Sequence, residues 1–174
     1  MERSLNKRKK INMQIVFLSP LWMIILFFTL WPVLQISCAL IALAIPNRAY
    51  DPDSFFYRSH RFELEGKLYE RLFAVKKWKH LLPDGGAVFK KRGYKKKKLE
   101  SFSKENLELF LVESARGELT HWLAIFPFWI FGFFAPPYII LIMLAYALIV
   151  NLPCIIVQRY NRPRIKKILK MMNK

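Results

Sequence analysis

Two long stretches without a charged residue constrain this chain more than any other feature. Positions 11–47 and 119–158 contain no Asp, Glu, Lys or Arg, although the chain has 29 Lys and Arg and a net charge of +17. One crossing of a bilayer needs about 20 predominantly apolar residues. Because apolar and charged residues occupy separate blocks, the sequence predicts an all-α integral membrane protein with basic segments outside the bilayer.

Two other interpretations of these blocks are weaker. An excess of Lys and Arg is typical of nucleic-acid-binding proteins, but these rarely contain two uncharged blocks of membrane length. Ala42-Leu-Ala44 has the small-x-small form of a signal-peptide cleavage site, yet the apolar region of a signal peptide is only about 7–15 residues long. We therefore expect a retained membrane segment, no nucleic acid, and anionic membrane lipid as the partner of the basic segments. Cys38 and Cys154 are interpreted as small buried apolar residues.

The charge pattern divides the chain into five segments. They are a basic cytoplasmic N-terminus (1–10), the first membrane segment or segments (11–47), a basic interfacial region (48–118), a transmembrane hairpin (119–158) and a basic C-terminal tail (159–174). Ala135-Pro136-Pro137 predicts the turn of the hairpin, because two prolines cannot continue a helix. A hairpin returns the chain to the membrane face from which it started.

The first membrane block is long for one straight crossing and short for two. Pro20 and Pro32 divide it, and proline can kink or end a helix. One possibility is a single tilted span over roughly 21–45, and the other is a fold-back near Trp31-Pro32. Lys and Arg prefer the cytoplasmic side of a membrane. Only a fold-back places all three basic regions there, so we expect the fold-back.

The interfacial region is predicted to contain two helices and a basic loop. Apolar residues at helical spacing over 66–82 indicate an amphipathic helix that lies in the membrane surface. Residues 90–98 contain seven Lys and Arg in nine positions, which predicts a solvated loop near anionic headgroups, with binding of a cofactor phosphate as the alternative. Ser103 is the expected N-cap of a helix with Glu105 in its first turn, and this helix continues into the hairpin.

The stretch 113–122, where that helix enters the membrane, concentrates groups that can do chemistry. On a helix His121 lies about 80° from Glu113 and about 60° from Glu118, so one imidazole lies between two carboxylates. A His oriented by a carboxylate is typical of a general base that activates a hydroxyl group. The alternative is that Glu118 and Arg116 mark the headgroup edge and that His121 and Trp122 are interfacial anchors.

A second imidazole–carboxylate pair is available in His80 and Asp84. The alternative for His80 is a residue at the end of an interfacial helix. Metal catalysis has few ligands in this sequence, which contains three His residues. Glu118-x-x-His121 matches half of a helical-bundle metal site, but such sites need a second copy. We therefore expect neither a metal nor another cofactor.

The basic residues beside the hairpin are candidates for binding a substrate. The guanidinium groups of Arg116, Arg159, Arg162 and Arg164 can bind the phosphates of an acyl donor or stabilise a developing oxyanion. Their alternative role is the ordinary basic flank of a membrane segment. The predicted substrate-binding residues are Arg116, Trp78, Arg159, Tyr160, Asn161 and Arg162.

Four pieces of the sequence carry a resemblance to a known family. They are Lys77-Trp-Lys-His80 with Asp84-Gly85, the stretch 113–122, Asn151-x-Pro153, and Ile155-Ile-Val-Gln-Arg-Tyr-Asn-Arg-Pro-Arg164. In collinear order over about 45–168, the chain resembles the glycosyl-diaponeurosporenoate acyltransferase family of carotenoid biosynthesis. The resemblance implies a bacterial cell-membrane enzyme that needs no metal. Its expected reaction joins a fatty acyl group to the sugar of a glycosylated carotenoid acid.

The leading hypothesis is therefore a membrane-embedded O-acyltransferase. His121, oriented by Glu118 or Glu113, takes the proton of a sugar hydroxyl that attacks an acyl thioester such as acyl-CoA. The acceptor is a lipid-soluble glycosylated carotenoid or a related membrane glycolipid, which meets the acyl donor at the membrane surface. The alternatives are a non-enzymatic membrane-assembly or lipid-binding protein and a metal-dependent membrane hydrolase.

Overall fold

The computed structural model describes residues 13–82 and 103–173, and within these ranges the chain contains helices and no strand. The predicted all-α class is therefore confirmed for this part of the protein. The lysine-rich run at 90–98, Asp84 and residues 1–10 lie outside the described residues. The α-helices are α1 (Pro20–Ala44), α2 (Lys67–Phe73), α3 (Val75–Trp78), α4 (Lys104–Ile125) and α5 (Pro137–Met172). Short 3-10 helices occupy Asn47–Ala49, Arg61–Gly66, Lys79–Leu81 and Phe126–Phe133.

The first membrane block forms one helix, so the predicted fold-back near Trp31-Pro32 is wrong. Pro20 lies in the first turn of α1, where a missing N–H group is tolerated, and Pro32 lies inside the helix without ending it. The backbone N–H groups of Ile15 and Val16 donate to the Phe133 carbonyl oxygen at 2.9 and 3.0 Å. The segment before α1 therefore lies near the hairpin turn. The segment after α1 is separated from it by the helix length, about 37 Å.

α4 and α5 form the predicted hairpin. The 3-10 helix Phe126–Phe133 follows α4, and Pro137 opens the return in α5. Ser103 caps α4 as predicted, because its hydroxyl oxygen accepts a hydrogen bond from the Asn106 N–H group at 3.3 Å. α5 does not end near Gln158. It continues through Pro163 for a length of about 54 Å, so the predicted basic tail is the last part of this helix.

Two of the three apolar clusters among the described residues join helices to one another, and the third packs Tyr50 and Tyr57 against Ala115 of α4. The first joins α1 to the hairpin through Trp31, Ile125, Phe131, Met143, Ala147 and Ile155. The second joins the start of α4 to the end of α5 through Leu107, Phe110, Leu111, Ile165 and Leu169. The Gln35 side-chain amide also donates to the Ala124 carbonyl oxygen at 2.9 Å, which ties α1 to α4. The bundle is thus fixed along its length before any polar cluster is considered.

Two of the described helices, α1 and α5, are long and apolar enough to cross a membrane. Only 11% and 22% of their most apolar windows is buried inside the protein, whereas the core helix of a soluble protein is mostly buried. Residues 119–134, the predicted first arm of the hairpin, are divided between α4 and a 3-10 helix and do not form a third such helix. The two helices indicate association with a membrane.

The predicted amphipathic helix over 66–82 is broken into shorter pieces. Ala74 has a left-handed φ of +48° and separates α2 from α3. Leu64, Glu65 and Gly66 also have positive φ, at +50°, +53° and +83°. These turns fold the segment against α5. The periodicity of the sequence does not reveal them because they depend on a long-range contact made by Glu63.

Candidate active site

Glu118 lies at the centre of a buried cluster of charged side chains. Glu118 lies on α4 and is fully buried. Both of its carboxylate oxygens bind guanidinium groups of α5. Arg159 Nε lies 2.7 Å from Oε1, and Arg162 Nη2 lies 2.7 Å from Oε2. Trp122 Nε1 adds a longer hydrogen bond of 3.4 Å to Oε1. These are the partners that the structure gives the carboxylate, and the predicted pairing of Glu118 with His121 stays a prediction.

Glu63 provides the second carboxylate of this cluster. Arg159 Nη1 donates to Glu63 Oε1 at 2.9 Å, the backbone N–H group of His60 donates to Oε2 at 2.7 Å, and the Tyr69 hydroxyl donates to Oε1. Burial on its own would raise the pKa of the Glu63 carboxyl. The hydrogen bonds from Tyr69, Arg159 and the His60 backbone outweigh it, so that pKa lies below its ordinary value. Burial, followed by the bond to Glu63, raises the pKa of Tyr69.

Gly66 lets the Glu63 turn approach α5 closely. Its φ of +83° is in the left-handed region, and a Cβ atom there would lie 3.0 Å from the Tyr160 carbonyl oxygen. The turn that ends at Gly66 therefore delivers Glu63 to Arg159 only because this residue has no side chain.

The cluster contains two carboxylates and two guanidinium groups, so its formal charges cancel. Arg159 Nη2 also donates to the Phe56 carbonyl oxygen at 2.8 Å. Arg162 donates to the carbonyl oxygens of Tyr57 and, at 3.3 Å, of Ser114. A buried ion pair is stabilised when its remaining donors are satisfied, and here most of them are, although Arg162 Nε has no hydrogen-bond partner among the described residues. These bonds join α4, α5 and residues 56–69 into one unit. They give the predicted substrate-binding residues Arg159 and Arg162 intramolecular partners instead.

His121 lies one turn further along α4 and has a different partner. Its Nδ1 atom is 2.9 Å from Oδ1 of Asn151, a residue of α5 that is 1% exposed. The Asn151 Nδ2 group donates to the Ala147 carbonyl oxygen at 2.9 Å, which fixes the orientation of the amide. Oδ1 must then accept from His121, so Nδ1 carries the proton. In a neutral imidazole this tautomer leaves the lone pair on Nε2.

Arg116 and Glu113 form a separate buried pair and do not join the Glu118 cluster. Arg116 donates to the Glu113 carboxylate and to the Asn47 side-chain oxygen, and its guanidinium lies 4.9 Å from the centre of the Tyr50 ring. The Tyr50 hydroxyl donates to the Ala42 carbonyl oxygen at 2.6 Å. This group connects the end of α1 to α4. Arg116, predicted to bind substrate, is only 7% exposed and is held by these partners.

The other predicted site residues lie at the end of α3, on the 3-10 helix Lys79–Leu81 and on α5. His80 is exposed on the 3-10 helix Lys79–Leu81. Its predicted pairing with Asp84 lies outside the described residues. Trp78 Nε1 donates to the Phe73 carbonyl oxygen at 2.7 Å. Tyr160 is 1% exposed, and the side-chain oxygen of Asn161 accepts from Lys79 Nζ at 3.2 Å.

Three residues of the cluster and of the imidazole pair were missed by sequence reasoning. Glu63 and Asn151 are far in sequence from Arg159 and His121, whereas Tyr69 is six residues from Glu63. A signal was available for two of them. Asn151 is the only Asn in the second uncharged block, and buried arginines near residue 160 require carboxylates that the C-terminal segment does not contain. Among the described residues, no group of three or more His, Cys, Asp and Glu is arranged to hold a metal ion.

The described residues thus form a helical protein with two membrane-length helices, a charge-balanced buried cluster and a candidate general base. Comparison with known families assigns its class. The family profile described as glycosyl-4,4'-diaponeurosporenoate acyltransferase matches residues 52–171. The chain therefore belongs to the glycosyl-4,4'-diaponeurosporenoate acyltransferase family, and it is an acyltransferase.

Individual relatives agree with this assignment. The chain is 38% identical over 136 residues to a glycosyl-4,4'-diaponeurosporenoate acyltransferase of Staphylococcus haemolyticus (strain JCSC1435), an alignment that covers 78% of each chain. A relative of the same name from Staphylococcus aureus (strain bovine RF122 / ET3-1) is 34% identical over 144 residues, covering 83% of this chain and 86% of the relative. No solved structure matches the chain. The resemblance identified in the sequence is confirmed, and the non-enzymatic and hydrolase alternatives are wrong.

Proposed function

We propose that this enzyme is embedded in the bacterial cell membrane and transfers a fatty acyl group from a thioester to a sugar hydroxyl of a glycosylated carotenoid or a related membrane glycolipid. The names of its relatives supply the reaction and the acceptor class. The observation that carries the catalytic assignment is the hydrogen bond between His121 and Asn151. An ionisable side chain within an apolar helical bundle is costly, and its retention there favours a functional role.

The proposed reaction has one base and one proton to move. Nε2 of His121 takes the proton of the sugar hydroxyl as its oxygen attacks the thioester carbonyl carbon. The new C–O bond forms and the C–S bond breaks, and the protonated imidazole returns its proton to the departing thiolate. Asn151 accepts from Nδ1 throughout, so it holds the ring in the tautomer that the attack requires.

The position of the imidazole suits reactants that dissolve in lipid. His121 is three residues beyond Glu118, about 4.5 Å along α4, and Asn151 precedes Arg159 by eight residues, about 12 Å along α5. The imidazole pair therefore lies on the apolar side of the charged cluster. A carotenoid and an acyl chain in the bilayer bring the sugar and the thioester to this boundary, and holding both there lowers the entropic cost of the reaction.

The charged cluster has a structural role in this proposal. Because Arg159 and Arg162 clamp Glu118, α4 and α5 are held in one register. That register places His121 opposite Asn151. These arginines were predicted to hold the anionic head of the donor. In this proposal other cations of the chain bind it.

The assignment is tested with purified enzyme in lipid vesicles that contain a glycosylated carotenoid acid and a fatty acyl thioester. Mass spectrometry detects the ester product. We expect His121→Gln to lower kcat by about 10²–10⁴-fold, the usual contribution of a positioned base. The matched control is His80→Gln, an exposed imidazole, which should retain wild-type activity. If His121→Gln is active and His80→Gln is not, His80 is the base and the proposal is wrong.

A further inference from the structure

The described chain leaves two of its partly covered cations without a carboxylate. Six Lys and Arg residues within 13–82 and 103–173 are buried or half-buried, namely Lys79, Arg116, Arg159, Arg162, Arg164 and Lys166. Four of them form ion pairs with Glu113, Glu63, Glu118 or Asp53. Lys79 and Arg164 form none, although both lose part of their hydration.

These two cations meet at one aromatic ring. Lys79 Nζ lies 5.1 Å from the centre of the Tyr160 ring, and the Arg164 guanidinium carbon lies 3.5 Å from it. Lys79 Nζ is also held 3.2 Å from the Asn161 side-chain oxygen, and Arg164 donates to the Tyr160 carbonyl oxygen. Both ends of the pair are thus positioned by neutral groups of α5, and each cation keeps further N–H donors.

Glu70 is the acid of this neighbourhood, and its charge acts on Lys79 without forming an ion pair with it. Glu70 accepts from the backbone N–H group of Lys76 at 3.1 Å and interacts with the Tyr160 side chain, and it is not in ion-pair contact with Lys79 or Arg164. Burial is the main cause that lowers the pKa of Lys79, repulsion by the Arg164 charge comes next, and the charge of Glu70 partly opposes both. An anion bound between them would relieve that repulsion.

We propose that Lys79 and Arg164 bind a phosphate group of the acyl donor, and that this donor is a thioester carried on a phosphopantetheine arm. The inference rests on the proposed function. Arg164 lies thirteen residues beyond Asn151 on α5, about 20 Å along the helix axis. An extended pantetheine arm separates thioester from phosphate by a distance of this order. With the phosphate on the two cations, which are charge-assisted donors suited to phosphate, an arm of this length spans the axial distance to the level of His121.

The test measures KM for donors with and without the phosphate. In Lys79→Met we expect the KM for acyl-CoA to rise about tenfold, with kcat and the KM for the acceptor little changed. Lys79→Arg, which keeps the charge, should remain close to wild type. The control Lys77→Met removes an exposed charge two residues away and should have no effect. An acyl-pantetheine without phosphate should be used equally well by wild type and Lys79→Met.

Several outcomes would overturn the proposal. If Lys79→Met impairs use of acyl-CoA and of acyl-pantetheine equally, the side chain does not bind phosphate. If the defect occurs in vesicles containing phosphatidylglycerol and disappears in phosphatidylcholine, the phosphate belongs to a lipid headgroup and not to the donor. If Lys79→Met leaves the KM for acyl-CoA unchanged while the wild type transfers acyl groups, the donor site is wrong and the proposed function stands. A wild-type enzyme inactive with every thioester would instead contradict the proposed function.

Discussion

Glu118 and His121 are three residues apart on α4, yet their partners differ. Glu118 binds charged guanidinium groups, whereas His121 contacts an uncharged amide. Glu118 is fully buried and binds two guanidinium groups, in a cluster whose formal charges cancel. His121 is half-buried and faces the neutral amide of Asn151. A carboxylate beside an imidazole would favour its protonated form, whereas an amide oxygen fixes the tautomer without adding charge. The charged cluster joins α4, α5 and residues 56–69, and the proposed proton transfer uses the His121–Asn151 pair.

The largest effect should come from removing the charge of Glu118. In Glu118→Gln two buried guanidinium groups lose a shared carboxylate, and we expect the free energy of unfolding to fall by about 3–5 kcal/mol. Thermal unfolding in detergent measures the loss. Glu108→Gln, an exposed residue of the same helix, serves as the control. Equal melting temperatures for the two variants would show that the cluster does not hold α4 against α5.

A smaller effect is expected at Asn151, on the neutral side of the comparison. Asn151→Ala removes the acceptor that fixes the His121 tautomer, and we expect kcat to fall about 10–100-fold with a modest loss of stability. Asn151→Asp keeps an acceptor but adds a charge, so the acid limb of the pH–rate profile should move to higher pH. A fall in melting temperature with an unshifted profile would assign Asn151 to helix packing alone.

The smallest effect is a pH dependence of stability due to Glu63. Because its folded-state pKa lies below the ordinary value of 4.5, its stabilisation is fully present above that value and is lost as the pH falls through the folded-state pKa. The difference in melting temperature between wild type and Glu63→Gln should therefore be greatest near neutral pH and shrink below about pH 4.5. The exposed neighbour Glu65 provides the control variant Glu65→Gln, for which we expect a constant difference.

The local features of the fold were predictable because they depend on neighbouring residues. Ser103 caps α4, and the prolines at 136 and 137 reverse the chain. Pro32 shows the limit of this reasoning. Proline can end a helix, but inside a long apolar helix the loss of one hydrogen bond is small compared with the packing of Trp31 against Phe131 and Tyr146.

The candidate site was predictable only in part. Its imidazole and its arginines were identified from residue types, but their partners were assigned from spacing on one helix. Spacing on α4 placed Glu118 beside His121. The packing of α5 against α4 brings Arg159 and Arg162 into contact with Glu118, and it brings Asn151 into contact with His121. A buried carboxylate binds guanidinium groups strongly, but spacing along one helix does not show which arginines another helix brings to it.

The sequence by itself determined the helical class, the membrane-length apolar blocks and the family of this acyltransferase, because each depends on local composition or on collinear motifs. Only the tertiary structure decided which buried cations of the described chain form ion pairs and which have no carboxylate beside them. Pairing in a buried site follows the distance between atoms of separate helices. The turn at Gly66 and the register of α4 against α5 set that distance, which leaves Lys79 and Arg164 as the covered cations without a carboxylate in the described chain.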